Sequence, residues 1–132
     1  MYLARGKYGR CFQNEEVIVK HLVEEHQFIV LDDCSNLQEV IHYFTHAHII
    51  IGAHGSLLKN IIWCKFNPMI IEFCPRTRHD CFYGNALSLG FNYLFIVTDS
   101  NNKEDIYLTQ TQLNLFYNLL KIFLQKEDCK FL

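Results

Sequence analysis

The stretch His48-Ile49-Ile50-Ile51-Gly52-Ala53-His54-Gly55-Ser56-Leu57-Leu58-Lys59-Asn60-Ile61-Ile62 constrains the fold more than any other. Its apolar run is too short for a helix and rich in β-branched isoleucine, which predicts a buried strand. Leu57, Leu58, Ile61 and Ile62 then repeat at helical spacing, so a helix follows at once. Glycines sit at the junction. A strand that feeds a helix through glycine is where α/β proteins hold anions: the backbone can approach the ligand, and the first N–H groups of the helix point at it. The same junction also occurs as a βα turn without a ligand, so the rest of the chain must decide.

The pattern around it repeats. Tyr2-Leu3-Ala4 reads as the end of a strand and runs into a basic loop, Arg5-Gly6-Lys7-Tyr8-Gly9-Arg10. Asn14 is the expected cap of a helix with Glu15 and Glu16 in its first turn and Val17, His21 and Leu22 on one side. Phe28 to Leu31 predicts a second strand. Ser35 to Gln38 has the spacing of a capping box before a helix whose stripe is Leu37, Val40, Ile41 and Phe44. After the Ile49 strand and the helix to about Trp63, Met69 to Phe73 is a strand and Pro75 to His79 a basic loop. A helix from about Asp80 to Leu89 stops at Gly90, Phe91 to Val97 is the last strand, and Asp99 to Lys103 is an exposed loop. Thr109 with Gln112 opens the final helix, with Leu113, Phe116, Leu120 and Leu124 facing the core.

About five alternations of strand and helix predict an α/β fold. It is a Rossmann-like parallel sheet of about five strands with helices on both faces, because parallel neighbours need crossover connections. The expected organisation is one domain, residues 1–132. A chain that is 50% hydrophobic and 20% charged is globular, and a net charge of −2 gives no field for nucleic acid or an anionic membrane. No apolar run is long enough for a membrane span and the first residues do not form a signal peptide. A complete chain is therefore expected in the cytoplasm. None of the six cysteines forms Cys-x-x-Cys, so free thiols are expected rather than a zinc site or a disulfide framework.

Ligands of such a sheet lie at the carboxyl ends of its strands, where Arg5 to Arg10, His54 to Ser56 and Glu72 to Arg78 converge. Arginines at a glycine turn suit a phosphate or pyrophosphate, since the planar guanidinium matches phosphate oxygens and stays charged. Each of Arg5, Arg10, Arg76 and Arg78 alone also reads as a solvated surface charge. His54 can donate to a phosphate oxygen, act as acid or base, or bond a loop carbonyl in a structural role. His54-Gly55-Ser56 is not a nucleophile elbow, which puts serine between the glycines. Gly-x-Gly-x-x-Gly and the P-loop are both absent. His42 and His46, four apart, lie off the apolar stripe and read as a solvated face rather than a metal pair. Glu72 ends a strand, where it can accept ribose hydroxyls or pair with Arg76 or Arg78.

Arg5-x4-Arg10-x3-Asn14-Glu15-Glu16, Ile51-Gly52-Ala53-His54-Gly55-x2-Leu58-x-Asn60 and Ile70-Ile71-Glu72 resemble glycosyltransferase family 61. Asp80-Cys81-Phe82-Tyr83, Ala86-Leu87, Leu89-Gly90 and Tyr93 extend the resemblance over nearly the whole chain. It implies the second, Rossmann-like domain of a GT-B enzyme, which binds a nucleotide sugar, usually a UDP-sugar, and inverts the anomeric centre. The UDP-sugar would be a donor substrate, with no cofactor and no metal; no Asp-x-Asp occurs. Carried onto this sequence, Arg5 and Arg10 hold phosphate, the His54-Gly55-Ser56 turn the pyrophosphate and Glu72 the ribose. His54 is the catalytic candidate, and Asn14, Gly52, Lys59 and Asn60 complete the binding set.

Two departures stand out. The family typically reads His-Gly-Ala-Gly-Leu-Thr-Asn, so Leu57 replaces a glycine and Lys59 a threonine. The chain also matches only the nucleotide-binding half. The acceptor, a glycan or glycoprotein, and the general base would belong to a missing N-terminal half or to a partner, with a homo-oligomer as another option. A fragment of this kind would belong to the secretory pathway. The alternative function is a non-catalytic α/β interaction module derived from a glycosyltransferase.

Overall fold

Isoleucine-rich runs build the centre of the sheet. In the computed structural model, which describes residues 1–5, 11–32, 36–78, 81–101 and 105–128, Ile49–Ala53 forms strand β3 with all five residues buried. Its parallel neighbours are β1 (Tyr2–Leu3) and β4 (Met69–Pro75). Outside them lie β2 (Val30–Leu31) and β5 (Asn92–Ser100), also parallel. A sixth strand, β6 (Ile106–Tyr107), completes the order β2-β1-β3-β4-β5-β6.

Strand order turns at one place. From β1 the chain steps outward to β2, crosses back to β3 and then proceeds the other way through β4 and β5. The crevice outside the carboxyl ends of β1 and β3 is thus a topological switch point, where open α/β sheets bind ligands.

Helices cover both faces, as expected. α1 (Glu15–His26) and α4 (Gln110–Asp128) pack Ile18, Leu22, Leu113, Phe116 and Leu120 against Ile51, Ile71 and Phe73. On the other face α2 (Leu37–His46), a 3-10 helix (Ser56–Trp63) and α3 (Cys81–Ser88) pack Val40, Phe44, Leu58, Ile61 and Phe82 on Leu3, Ile50 and Ile70. Side chains on a strand alternate between faces, so one isoleucine run serves both cores.

Several local expectations need correction. The segment after Gly55 is a 3-10 helix, not an α-helix: its buried residues, Leu58 and Ile61, are three apart and fall on one line at three residues per turn, while Ile62 is 58% exposed. In α1 the buried pair is Ile18 and Leu22, and Val17 faces solvent. Asn14 makes no side-chain cap. α2 is capped by Asn36, which accepts from the N–H groups of Gln38 and Glu39; Ser35 lies outside the described residues, and Leu37 is exposed.

The expected loop at Asp99 is instead a hairpin. Asp99 and Ser100 pair antiparallel with Tyr107 and Ile106, and Asn101 and Asp105 close the turn with three hydrogen bonds of 2.9 to 3.1 Å. The polar turn masked the apolar Ile106 and Leu108, each 3% exposed, which the hairpin buries over α1. Two ends match their signals. Gly90 has φ +73 and closes α3 with Phe91 N–H on Ala86 O and its own N–H on Leu87 O. Thr109 and Gln112 form a reciprocal capping box.

Candidate functional site

At the switch point the structure has a cavity of about 280 Å³, lined by Leu3, Ala4 and Arg5 after β1 and by Ala53, Gly55, Ser56 and Leu57 after β3. Two glycines shape it. A Cβ on Gly52 would stand 2.9 Å from Leu3 Cβ and 3.2 Å from Leu3 O, so glycine lets β1 lie against β3. Gly55 has an extended backbone that any residue adopts, but a Cβ there would come 3.3 Å from Arg5 Nη1. Its missing side chain is room for the guanidinium. The first bond of the 3-10 helix runs from Leu58 N–H to Gly55 O, so the N–H groups of Ser56 and Leu57, two residues that line the cavity, precede the helix's own bonding.

Arg5 is held at both ends. Its backbone N–H donates to Glu15 Oε1 at 2.9 Å, and the same oxygen accepts from the Tyr2 hydroxyl at 2.9 Å. Burial, and then the Glu15 charge, push the Tyr2 phenol well above its ordinary range, so it stays a donor. The Arg5 guanidinium donates to the backbone carbonyl of His54. In the sequence Glu15 stands in the first turn of a helix and in the stretch Arg5-x4-Arg10-x3-Asn14-Glu15-Glu16, but neither pattern assigns it the anchoring of a strand end.

The His54 side chain turns away from this cavity. Ile50, Gly52 and His54 share a sheet face with Ile70, Glu72 and Cys74, following the β3–β4 register. The His54 ring therefore enters the interior, where Nδ1 donates to Glu72 Oε1 at 2.5 Å and the ring lies 5.2 Å from that of Phe82. Exposure is 8% for His54 and 2% for Glu72. Glu72 thus bonds a histidine, not Arg76 or Arg78, which are exposed.

Cys74 is buried beside this pair, and the donor atoms of His54, Glu72 and Cys74 lie within 4.8 Å of one another. Nitrogen, oxygen and sulfur donors suit zinc. Two donors each about 2 Å from one tetrahedral ion stand about 3.3 Å apart, whereas the nitrogen–oxygen separation here is 2.5 Å. The geometry is that of a hydrogen-bonded pair next to a thiol.

The remaining candidates separate. Asn14 spends its amide on the backbone of Leu108, donating to its carbonyl at 2.8 Å and accepting from its N–H at 3.0 Å. Asn60 donates to Leu57 O at 3.0 Å within its own helix. Lys59 is exposed, Ser56 is exposed at the cavity, and Arg10 lies outside the described residues. His42 and His46 are exposed and tied by His46 Nδ1 to the His42 carbonyl at 2.8 Å. The structure therefore brings Arg5, Gly55 and Ser56 together at the cavity, pairs His54 with Glu72 behind it, and gives Gly52, Asn14 and Asn60 contacts within the fold.

A search of the curated proteins finds no match. The model of the family Glycosyltransferase 61 matches residues 1–71, a span from β1 into β4 that contains Arg5, the glycine junction and Leu57. That is more than half of the 132 residues, and the chain belongs to the glycosyltransferase 61 family.

Proposed function

We propose that this chain is the nucleotide-sugar-binding half of a family 61 glycosyltransferase and holds the diphosphate of a UDP-sugar in the cavity between β1 and β3. The observation that carries this reading is a fixed guanidinium, Arg5, beside the head of a 3-10 helix at the topological switch point. A cavity of about 280 Å³ is at the small end for ligand pockets and suits the diphosphate rather than the whole donor. In an inverting transfer an acceptor hydroxyl attacks the anomeric carbon from the face opposite the leaving diphosphate, whose growing negative charge needs fixed donors. Arg5 and the N–H groups of Ser56 and Leu57 supply them, so the reading is metal-independent. Among the described cavity residues only Arg5 and Ser56 have polar side chains, and neither is a base at neutral pH. The base that takes the hydroxyl proton then comes from the acceptor side.

Calorimetric titration of UDP at low salt tests the reading. We expect measurable heat for the natural sequence and at least tenfold weaker binding for Arg5→Ala, matching the loss of one charged hydrogen bond at roughly 1.5–3 kcal/mol. No heat and no thermal shift at millimolar UDP would refute it. One observation favours a second reading, the interaction module: Phe95 and Val97 of β5 and Leu87 of α3 are 45%, 39% and 61% exposed. Stable dimers by light scattering together with silence toward UDP would support that reading instead.

A further inference from the structure

We propose that Glu72 and His54 are positioning residues for Arg5: the buried Glu72–His54 pair fixes the main-chain carbonyl of His54, and that carbonyl seats the guanidinium on the cavity wall. The proposal rests on the reading of Arg5 as the phosphate ligand, and it assigns neither side chain a contact with the nucleotide.

Residue 54 is held from three sides. Its N–H continues the sheet ladder to Phe73 O at 2.8 Å, its ring is bound by Glu72 Oε1 and lies against Phe82, and its carbonyl accepts from Arg5. β3 ends at Ala53 and β1 at Leu3, so residue 54 lies beyond the last residues that pair with β1, and its carbonyl is met by the Arg5 side chain. Gly55 points the same way independently, because a Cβ would crowd Arg5 Nη1 at 3.3 Å. One junction thus gives the guanidinium both an acceptor and a space. A buried carboxylate against a buried imidazole is costly to the fold unless bonded, and at 2.5 Å it is bonded. That makes the pair a rigid strut behind an arginine that lines the cavity.

The test uses variants of Glu72 in the whole chain, with two readouts. Glu72→Gln keeps an acceptor for His54 Nδ1. Glu72→Met fills the volume without one, and the double variant His54→Phe/Glu72→Met removes both members of the pair together, so that neither is left facing the other's absence. The first readout needs no ligand: the side-chain ¹⁵N–¹H signals of Arg5, assigned by their loss in Arg5→Ala. We expect separate Nη signals in the natural protein and in Glu72→Gln, and merged or shifted signals in Glu72→Met and in the double variant. Arg5 signals identical in all four proteins would overturn the proposal whether or not UDP binds.

The second readout is UDP affinity. Glu72→Met and the double variant should each lose about tenfold, as Arg5→Ala does, and adding Arg5→Ala to either should cost nothing more, since the residues act through one another. Losses that multiply to about a hundredfold would show that Glu72 meets the ligand itself and overturn the proposal. So would a lower melting temperature with unchanged affinity, the mark of a merely structural pair. A natural protein silent to UDP whose Arg5 signals respond as expected would refute the nucleotide reading and leave the positioning of Arg5 supported.

Discussion

Leu57→Gly separates stability from binding, because the side chain that walls the cavity also packs the fold. Leu57 is half-buried at the head of the 3-10 helix and lines the cavity. Among the described non-glycine residues only Gln27 has positive φ, so the leucine is unstrained and glycine relieves nothing there. Glycine in a helical turn costs about 1 kcal/mol, and half-burial of the isobutyl group is worth about 1 kcal/mol more. A loss of about 2 kcal/mol lowers the melting temperature of a domain this size by roughly 6–10 °C. Binding moves the other way. A phosphate oxygen that faces an isobutyl group gains a charge-assisted bond once water or backbone N–H replaces it, worth about 2 kcal/mol, less about 1 kcal/mol for ordering the glycine. The net gain of about 1 kcal/mol is about fivefold in affinity. Differential scanning calorimetry and UDP titration on the same preparation measure both. A folded Leu57→Gly protein with the expected melting loss and no gain in UDP affinity would refute the placement of the diphosphate against residue 57.

Other substitutions probe the frame around the cavity. Gly52→Ala forces a Cβ to 2.9 Å from Leu3 Cβ and should cost roughly 2–3 kcal/mol in a urea melt, whereas Gly84→Ala, exposed in α3 with open space around it, should stabilise by up to about 1 kcal/mol. Asn14→Ala deprives the N–H and carbonyl of Leu108 of their partners; we expect a loss of roughly 2–3 kcal/mol with UDP affinity unchanged within about twofold. His21 has its pKa lowered from the ordinary 6.5, first by burial and then by His26 and Lys121 against an opposing Glu25. The unfolded chain therefore takes up that proton first, and the stability His21 contributes is full above about pH 6.5 and lost as pH falls through that value toward its folded pKa. Urea midpoints measured from pH 7.5 to 5 should fall less steeply in His21→Gln than in the natural protein; parallel curves would refute this.

Elements with a local signature were legible in the sequence. The isoleucine run of β3, the Thr109–Gln112 box and the Gly90 stop depend on residues within a turn or two of one another, and each lies where its pattern puts it. β6 has only two residues. It exists because Asp99 and Ser100 pair with it and because Phe12 bridges to Ile106 across 94 positions, and no window on the sequence contains that partnership. The 3-10 helix departs from its sequence pattern for a related reason. Leu57, Leu58, Ile61 and Ile62 satisfy an α-helical template, but only Leu58 and Ile61 are fully buried, with Leu57 at the edge of the core and Ile62 exposed. Tertiary space chose the helix type.

The site shows where position along the chain stops being informative. That His54 follows a buried strand places its backbone at the carboxyl edge of the sheet. The destination of its ring depends on parity. Counting by twos from Ile50, which packs under α2 and α3, puts Gly52 and then His54 on that same covered face, beside Glu72 and beneath Phe82. The ring must then go inward, and an inward imidazole needs a partner, which Glu72, on the same face of β4, provides. What remains at the edge is the peptide carbonyl, which is the group that meets Arg5. A histidine in such a junction can therefore serve the cavity through its main chain while its side chain belongs to the core. The residue type alone does not distinguish the two; the parity of the strand and the cover on its face do.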